Sequence, residues 1–192
     1  MNMSNLEIEA CFKITYIESL EFLNKEILDK IKRRSFKKLR WKKYRQMNSW
    51  VSHLFEEPLL KKREAPHIIK KVNPLVGYGV FAEKIIPELT FVGEYTGIVR
   101  KRQFWEDSSN DYVFGYVIGP QATPWVVDAR EKGNFTRFIN HSYEPNVTSK
   151  WIIVDGVAHI ILFANRLINP GEQLTYDYGS KYWQKRPYPQ SF

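Results

Sequence analysis

"RFINHSYEPNV", residues 137–147, sets Asn140, His141, Ser142 and Asn146 hard against the apolar pair Phe138 and Ile139. Amide, imidazole and hydroxyl groups drawn toward an interior must find hydrogen-bonding partners or cost stability. So dense a polar run implies one of two jobs: bracing buried backbone, or holding a ligand.

Outward from this stretch the chain reads as short β-branched and aromatic runs broken by Gly, Pro, Asn and Asp. These are "HIIKKV" (67–72), "GYGVFA" (77–82), "LTFVGEYTGIV" (89–99), "DYVFGYVIG" (111–119), "PWVVDA" (124–129) and "KWIIVDGVAHIILFA" (150–164). Asp155-Gly156 inside the last run is a tight-hairpin signal. Many short strands without regular alternation with helices predict a mostly antiparallel β domain of small sheets. The front differs. All ten glycines lie between Gly77 and Gly179 and the first proline is Pro58, so residues 1–57 carry no punctuation and favour two or three helices. Helical spacing of Leu20, Leu23, Ile27 and Ile31 agrees, and "EEPLLKKREAP" (56–66) reads as the joint.

Composition bounds the rest. The chain has 192 residues, 43% of them hydrophobic, enough for one full domain plus an appendage. No apolar run approaches the length of a membrane span, and "MNMSNLEIEACFK" lacks a secretory n-region and apolar core. The single cysteine, Cys11, allows no intrachain disulfide, and four histidines without cysteine neighbours offer no zinc-binding spacing, so no metal is expected and a reducing compartment fits. The net charge is +8, with 15 Lys/Arg against 9 Asp/Glu in residues 1–65 and 14 against 12 in the remainder. Lys30 to Arg45, "KIKRRSFKKLRWKKYR", holds ten bases in sixteen residues and no acid. Such a block suits nucleic acid, an acidic partner, an anionic surface or an import address, and equally a solvated helix face paired with preceding acids.

Taken singly, the remaining motifs are weak. Gly77 and Gly79 fit any turn with close backbone approach, His141 alone is more often structural, and Tyr176 and Tyr178 at i, i+2 are first of all residues on one strand face. Taken in order, "GYGVFA", "GEYTG" (93–97), "DYVFGY", "RFINHSYEPNV" and "GEQLTYDYG" (171–179) resemble the SET-domain family of protein lysine methyltransferases over roughly residues 68–183. Tyr143 stands where the family signature has cysteine.

The resemblance implies a mostly β (α+β) SET-type fold of small antiparallel sheets with a knot-like C-terminal crossing, preceded by a helical N-terminal segment. The divisions would be a basic helical segment at 1–65, the catalytic domain at 66–179 and a lid segment at 180–192. It implies an S-adenosylmethionine-dependent lysine N-methyltransferase with Tyr178 as catalytic tyrosine, Tyr95 and Tyr112 lining the lysine channel, and Tyr176 where relatives vary between Tyr and Phe. The Tyr176 hydroxyl would crowd an already methylated nitrogen, favouring monomethylation with some dimethylation. Cofactor contacts would come from Tyr78, Gly79, Tyr112, Arg137, Asn140 and His141, with Tyr182 or Trp183 as an aromatic lid in place of the cysteine-rich zinc segment of many relatives. Tyr143 should alter local packing and leave cofactor binding intact. Glu94 reads as a structural or substrate-groove residue, because lysine can lose its proton to solvent before closure.

The implied partner is a histone or histone-like basic tail, in the cytoplasm or at chromatin in the nucleus. Lack of the zinc segment is consistent with a microbial or viral origin and a host nucleus as destination. Lys30 to Arg45 would repel a basic tail, so nucleic acid is one expected contact there. A homodimer, or docking on the β domain through Trp41, Trp50, Leu54 and Phe55, is another. The rival from a different class is a catalytically silent SET-like module that binds protein or nucleic acid.

Overall fold

The computed structural model describes residues 4–184 and 186. The β-rich half follows the sequence pattern. Strands β3 (His67–Asn73) and β4 (Gly77–Ala82) form an antiparallel pair. Strands β11 (Val147–Val154) and β12 (Val157–Ala164) join through Asp155 and Gly156, whose φ values of 50° and 79° give the two-residue turn that suits strand twist. Strand β5 (Phe91–Glu94) adds to β12, making a three-stranded sheet in the order β11-β12-β5. Strands β6 (Ile98–Lys101), β7 (Val113–Ile118) and β8 (Gln121–Asp128) build a second sheet, and β9 (Lys132–Gly133), β10 (Asn140–His141) and β13 (Thr175–Tyr176) complete smaller pairings.

The front segment is less purely helical than its composition predicts. Helix α1 (Asn5–Phe12) starts at a capping box, with Ser4 and Glu7 bonding each other's backbone amides. Helix α2 (Lys25–Leu39) is capped by Asn24, whose Oδ1 accepts from the Ile27 amide at 3.0 Å. Between them lie β1 (Thr15–Tyr16), parallel to β9, and β2 (Glu21–Phe22), parallel to β6. The Thr15 amide donates to the Glu131 carbonyl and the Glu21 amide to that of Gly97. Two residues are too few to show a period of two. They become strands because the edges of β9 and β6 offer open backbone groups. Residues 15–22 therefore belong to the sheets and not to an appendage.

Helix α3 (Lys42–Leu60) continues through Pro58, so the helix extends into the stretch expected to be the joint. Proline removes one backbone bond here, within three residues of the helix end. Of the four expected anchors, Phe55 is buried and stacks on Phe163 at 4.9 Å, while Trp41, Trp50 and Leu54 are exposed. Val51, Phe55 and Leu59 seal one face of the β11-β12-β5 sheet against Ile152, Ile161 and Phe163. Ile27 and Ile31 of α2 pack with Tyr95, Tyr116, Trp125 and Val127, and Ile8 and Ile14 join the main core around Phe135, Ile139 and Leu162. No helix is long and apolar enough to cross a membrane among the described residues.

One polar contact locks α3 to the sheet. Strand β11 is an edge, and the Ile153 amide donates to Asn48 Oδ1 at 2.7 Å while Asn48 Nδ2 donates to the Ile153 carbonyl at 3.0 Å. The side-chain amide stands in for a neighbouring strand. Asn48→Leu would leave a buried N–H and C=O unpaired, at a cost of about 2–4 kcal/mol. Urea denaturation should show the midpoint falling with an unchanged m-value.

Buried His67 supplies a pH test. It stacks on Phe135 at 3.7 Å, its Nδ1 lies 2.9 Å from the Ala65 carbonyl, and burial pulls its pKa below the usual imidazole value. The unfolded chain binds this proton more readily, so its contribution is full above pH about 6.5 and is lost as pH falls toward the depressed folded value. His67→Asn keeps a polar partner for Ala65 without titrating there. Melting curves at stepped pH should decline less steeply for the variant between pH about 7 and 5; identical slopes would rule out His67 as the cause.

Candidate active site

The polar run at 137–147 meets the closing segment 172–179. Strand β10 pairs parallel with β13, Asn140 opposite Thr175 and His141 opposite Tyr176. Asn146 Nδ2 donates to the Gln173 carbonyl at 2.8 Å and to Glu172 Oε1 at 3.1 Å, and its Oδ1 accepts from the Thr175 amide at 2.9 Å. Asn140 Nδ2 donates to the Tyr78 carbonyl at 3.0 Å, tying the crossing to the glycine turn. His141 Nδ1 accepts from the Tyr178 amide at 3.1 Å. The Ser142 amide donates to the Tyr176 carbonyl, and its hydroxyl accepts from the Glu144 amide. Bracing therefore accounts for nearly every polar group of the run.

A buried group stays over: among the described residues His141 Nε2 has no hydrogen-bond partner. Because Nδ1 accepts an amide proton, the neutral ring carries its own proton on Nε2. Burial lowers the His141 pKa, with Asp177 opposing, so the neutral form holds near pH 7. Nε2–H is thus a donor with no acceptor among the described residues.

A continuous aromatic wall starts at this histidine. Tyr178 lies 5.4 Å from His141, Tyr176 4.7 Å from Tyr178, Phe114 6.0 Å from Tyr176, and Tyr95 5.1 Å from Phe114. The hydroxyls are directed by backbone: Tyr178 donates to the Ile139 carbonyl at 2.8 Å and Tyr95 to that of Tyr112 at 2.9 Å. Burial drives the Tyr176 and Tyr178 pKa values well above 10 and raises that of Tyr95 as well. None is a phenolate near neutral pH.

Tyr112 is fixed from behind. The Arg137 guanidinium lies 3.6 Å from its ring centre, and Arg137 Nε donates to the Ala129 carbonyl at 2.8 Å. Asn110 Oδ1 accepts the Tyr112 amide, Asn110 Nδ2 donates to Asp128, and Arg100 joins Asp128 to Asp107. Burial works against the Asp128 carboxylate, but Asn110, the Arg130 amide and Arg100 still hold it below the ordinary range. Arg137, expected as a cofactor contact, is largely engaged in holding Tyr112 and the carbonyls of residues 129 and 130.

Tyr78 is half exposed at the glycine turn, its ring edge-on to Phe12 of α1 at 4.8 Å. A Cβ on Gly79 would come within 2.5 Å of Gln173, 2.9 Å of Val72 and 3.0 Å of the Asn140 amide, so this position must be bare for the turn to lie on the crossing. Helix α4 (Ser180–Trp183) brings Trp183 to 4.9 Å from His141 and Tyr182 to 4.7 Å from Tyr178. Arg186 anchors it, donating to Asp111 Oδ1 and the Asn110 carbonyl and lying 4.1 Å from the Tyr182 ring. The Tyr182 phenol is pushed up to about 12, by burial and then by Asp111. The rest of the expected lid, residues 185 and 187–192, lies outside the described residues.

Tyr143 is 64% exposed and packs edge-on against His141 at 4.7 Å. Glu94 is buried with its Oε1 2.6 Å from His159 Nδ1. Phe114 and Phe12 escaped the sequence reading. The first stands two residues after Tyr112, which sits in the turn just before β7; the second contacts Tyr78 only through the tertiary fold.

Comparison with known proteins agrees with this geometry. The SET domain family matches residues 77–179, more than half of the chain. Histone-lysine N-methyltransferase 2B of Homo sapiens is 44% identical over 123 residues, 62% of this chain and 4% of that protein. Among solved structures, KRYPTONITE in complex with mCHH DNA, H3(1-15) peptide and SAH aligns with a TM-score of 0.55 and 31% identity, over 67% of this chain and 26% of that one. The autoinhibited ctPRC2 bound to S-adenosylmethionine aligns with a TM-score of 0.56 and 28% identity, over 66% and 17%. The chain spans at most 30% of the length of the first curated relatives it matches. The glycine turn, the crossing and the tyrosine wall all fall inside the matched span, and the chain belongs to the SET-domain family.

Proposed function

We propose that the chain is an S-adenosylmethionine-dependent protein-lysine N-methyltransferase acting on a histone or histone-like basic protein, with monomethyllysine the main product and dimethyllysine the lesser one. The observation that carries this reading is the neutral aromatic wall of Tyr95, Phe114, Tyr176 and Tyr178 beside a buried His141 Nε2–H unpartnered among the described residues. Relatives named histone-lysine N-methyltransferases support the substrate class, as does a structural neighbour solved with an H3(1-15) peptide.

The residues present fit the cofactor. His141 Nε2 is a donor awaiting an acceptor, Gly79 keeps the turn open at the crossing, and Trp183 offers a flat face beside the histidine. Tyr78, Gly79, Asn140, His141 and Trp183 would hold it, with Tyr112 at the channel and Arg137 behind Tyr112. S-adenosylmethionine, when bound, supplies a methyl group on a sulfonium, which an amine lone pair attacks in line.

The chain's own part is positioning. Lysine arrives protonated, and a buried aromatic channel disfavours the ammonium and lowers its pKa. Tyr178 donates its hydrogen bond to the Ile139 carbonyl, leaving its oxygen lone pairs to accept from the substrate amine. Tyr176 directs the same amine and crowds a nitrogen that already carries methyl. Glu94 stays with His159 and takes no part in proton transfer. Action at chromatin, in a nucleus or in the cytoplasm, follows from the substrate class proposed. Trp50 and Leu54 of α3 remain exposed, and contact with a second copy through them is part of the same proposal.

Transfer of labelled methyl to mixed core histones and a bacterial histone-like protein, read by mass, tests the reading. Tyr178→Phe should lower transfer about 100-fold or more, a loss of orientation worth roughly 3 kcal/mol. Tyr176→Phe should stay active and shift product toward di- and trimethyllysine. Intact cofactor binding by calorimetry without transfer would point to a wrong substrate; neither binding nor transfer would favour a silent module.

A further inference from the structure

Four acids of the front segment are engaged with other cations. Lys30 pairs with Glu26, Lys61 and Arg63 with Glu57, Lys62 with Glu18, and Lys132 with Glu21. Among the described residues no acid pairs with Arg34, Lys37, Lys38, Arg40, Lys42, Lys43 or Arg45. A helix face neutralised by its preceding carboxylates would look otherwise, so the basic block is a concentrated positive surface.

It is also concave. Helices α2 and α3 meet at Arg40 and Trp41, and the turn joining β7 to β8 faces this corner. Between them lies a cleft of about 430 Å³, lined by Arg34, Lys37, Lys38, Trp41 and Tyr44 from the helices and by Gln121 and its neighbours from the hairpin. The lining holds three cations and no carboxylate. Aromatic rings support the cations: Lys38 Nζ lies 4.0 Å from the Tyr44 ring centre and the Arg34 guanidinium 4.8 Å from that of Trp125. Trp41 is 67% exposed, a large apolar face left open at the mouth of a basic cleft.

We propose that this cleft binds an unpaired nucleic-acid strand, with phosphates against Lys37 and Lys38 and a base stacked on Trp41. Spaced cations interleaved with an open aromatic face match a phosphodiester chain, whose every base has a flat surface to offer. An acidic peptide would use the charge and leave the tryptophan idle, and a duplex keeps its base faces stacked away. The hairpin that walls the cleft carries Tyr112 and Phe114 near its other end. Five residue steps from Val113 to Ile118 span roughly 17 Å. A bound strand would thus hold its own associated proteins within a short reach of the tyrosine wall. The inference stands whether or not the transfer reaction is as proposed.

Fluorescence anisotropy on the full chain tests it, using a labelled oligothymidylate of about 16 nucleotides, its duplex with oligodeoxyadenylate, and polyglutamate as competitor. The single strand should bind more tightly than the duplex and resist polyglutamate. In Lys37→Gln/Lys38→Gln the slope of log affinity against log salt should shrink by about 1.4, two phosphate contacts at about 0.7 each. Trp41→Ala should weaken binding roughly tenfold with the slope unchanged. Both variants alter exposed or half-exposed positions outside the tyrosine wall and should keep the wild-type melting temperature. Unaltered affinity in both, preference for duplex, or easy displacement by polyglutamate would overturn the assignment.

Discussion

The parallel pairing of residues 140–141 with 175–176 is the constraint on which the site rests. Two strands from separate parts of the chain meet half-buried, and their unpaired backbone groups are answered locally. Asn146 answers two of them, the Gln173 carbonyl and the Thr175 amide, and His141 a third, the Tyr178 amide. Through these bonds the crossing sets the height of Tyr176 and Tyr178. Through Asn140 it also sets the glycine turn at Tyr78. A motif that looks like a ligand site is first a brace, and among the described residues it leaves one buried side-chain donor, His141 Nε2–H, unused.

Burial does a second job at the same place. It keeps the tyrosines protonated, so their hydroxyls orient and accept without acting as bases. One large cation beside the wall, Arg137, is stacked on Tyr112, and burial lowers its pKa, with Tyr112 and Tyr95 countering. Charge is placed elsewhere: Arg100 between Asp107 and Asp128 at the back of the site, and the unpaired bases on α2 and α3. The segregation leaves the tyrosine wall itself uncharged.

Much of this was legible in the sequence, for reasons that differ from element to element. Asp155-Gly156 and the alternating runs around it are local signals, and local physics formed them. Tyr95, Tyr176 and Tyr178 come together as their motifs implied. Strands β1 and β2 were not legible, because a two-residue strand has no period and its partners lie more than 70 residues away. Nor could composition separate Phe55, which packs on the sheet, from Trp50, which faces outward. Both sit on α3, and only the position of β11 decides between them. Phe114 was within reach, two residues after Tyr112. The basic block was visible as charge, whereas its concavity needed the β7–β8 turn, far along the chain.

The contact between Phe12 and the Tyr78 ring bears on the borders of this domain. The family match starts at Gly77, yet the outer side of the glycine turn is propped by a helix more than sixty residues earlier, and that helix also touches Phe138 through Phe12. Strands β1 and β2 stitch the same early segment into two sheets. Excised at its family borders, the domain would lose a buttress of its own ligand turn and expose two open sheet edges. In this chain the mechanical unit reaches upstream of the family match and takes in the first helix.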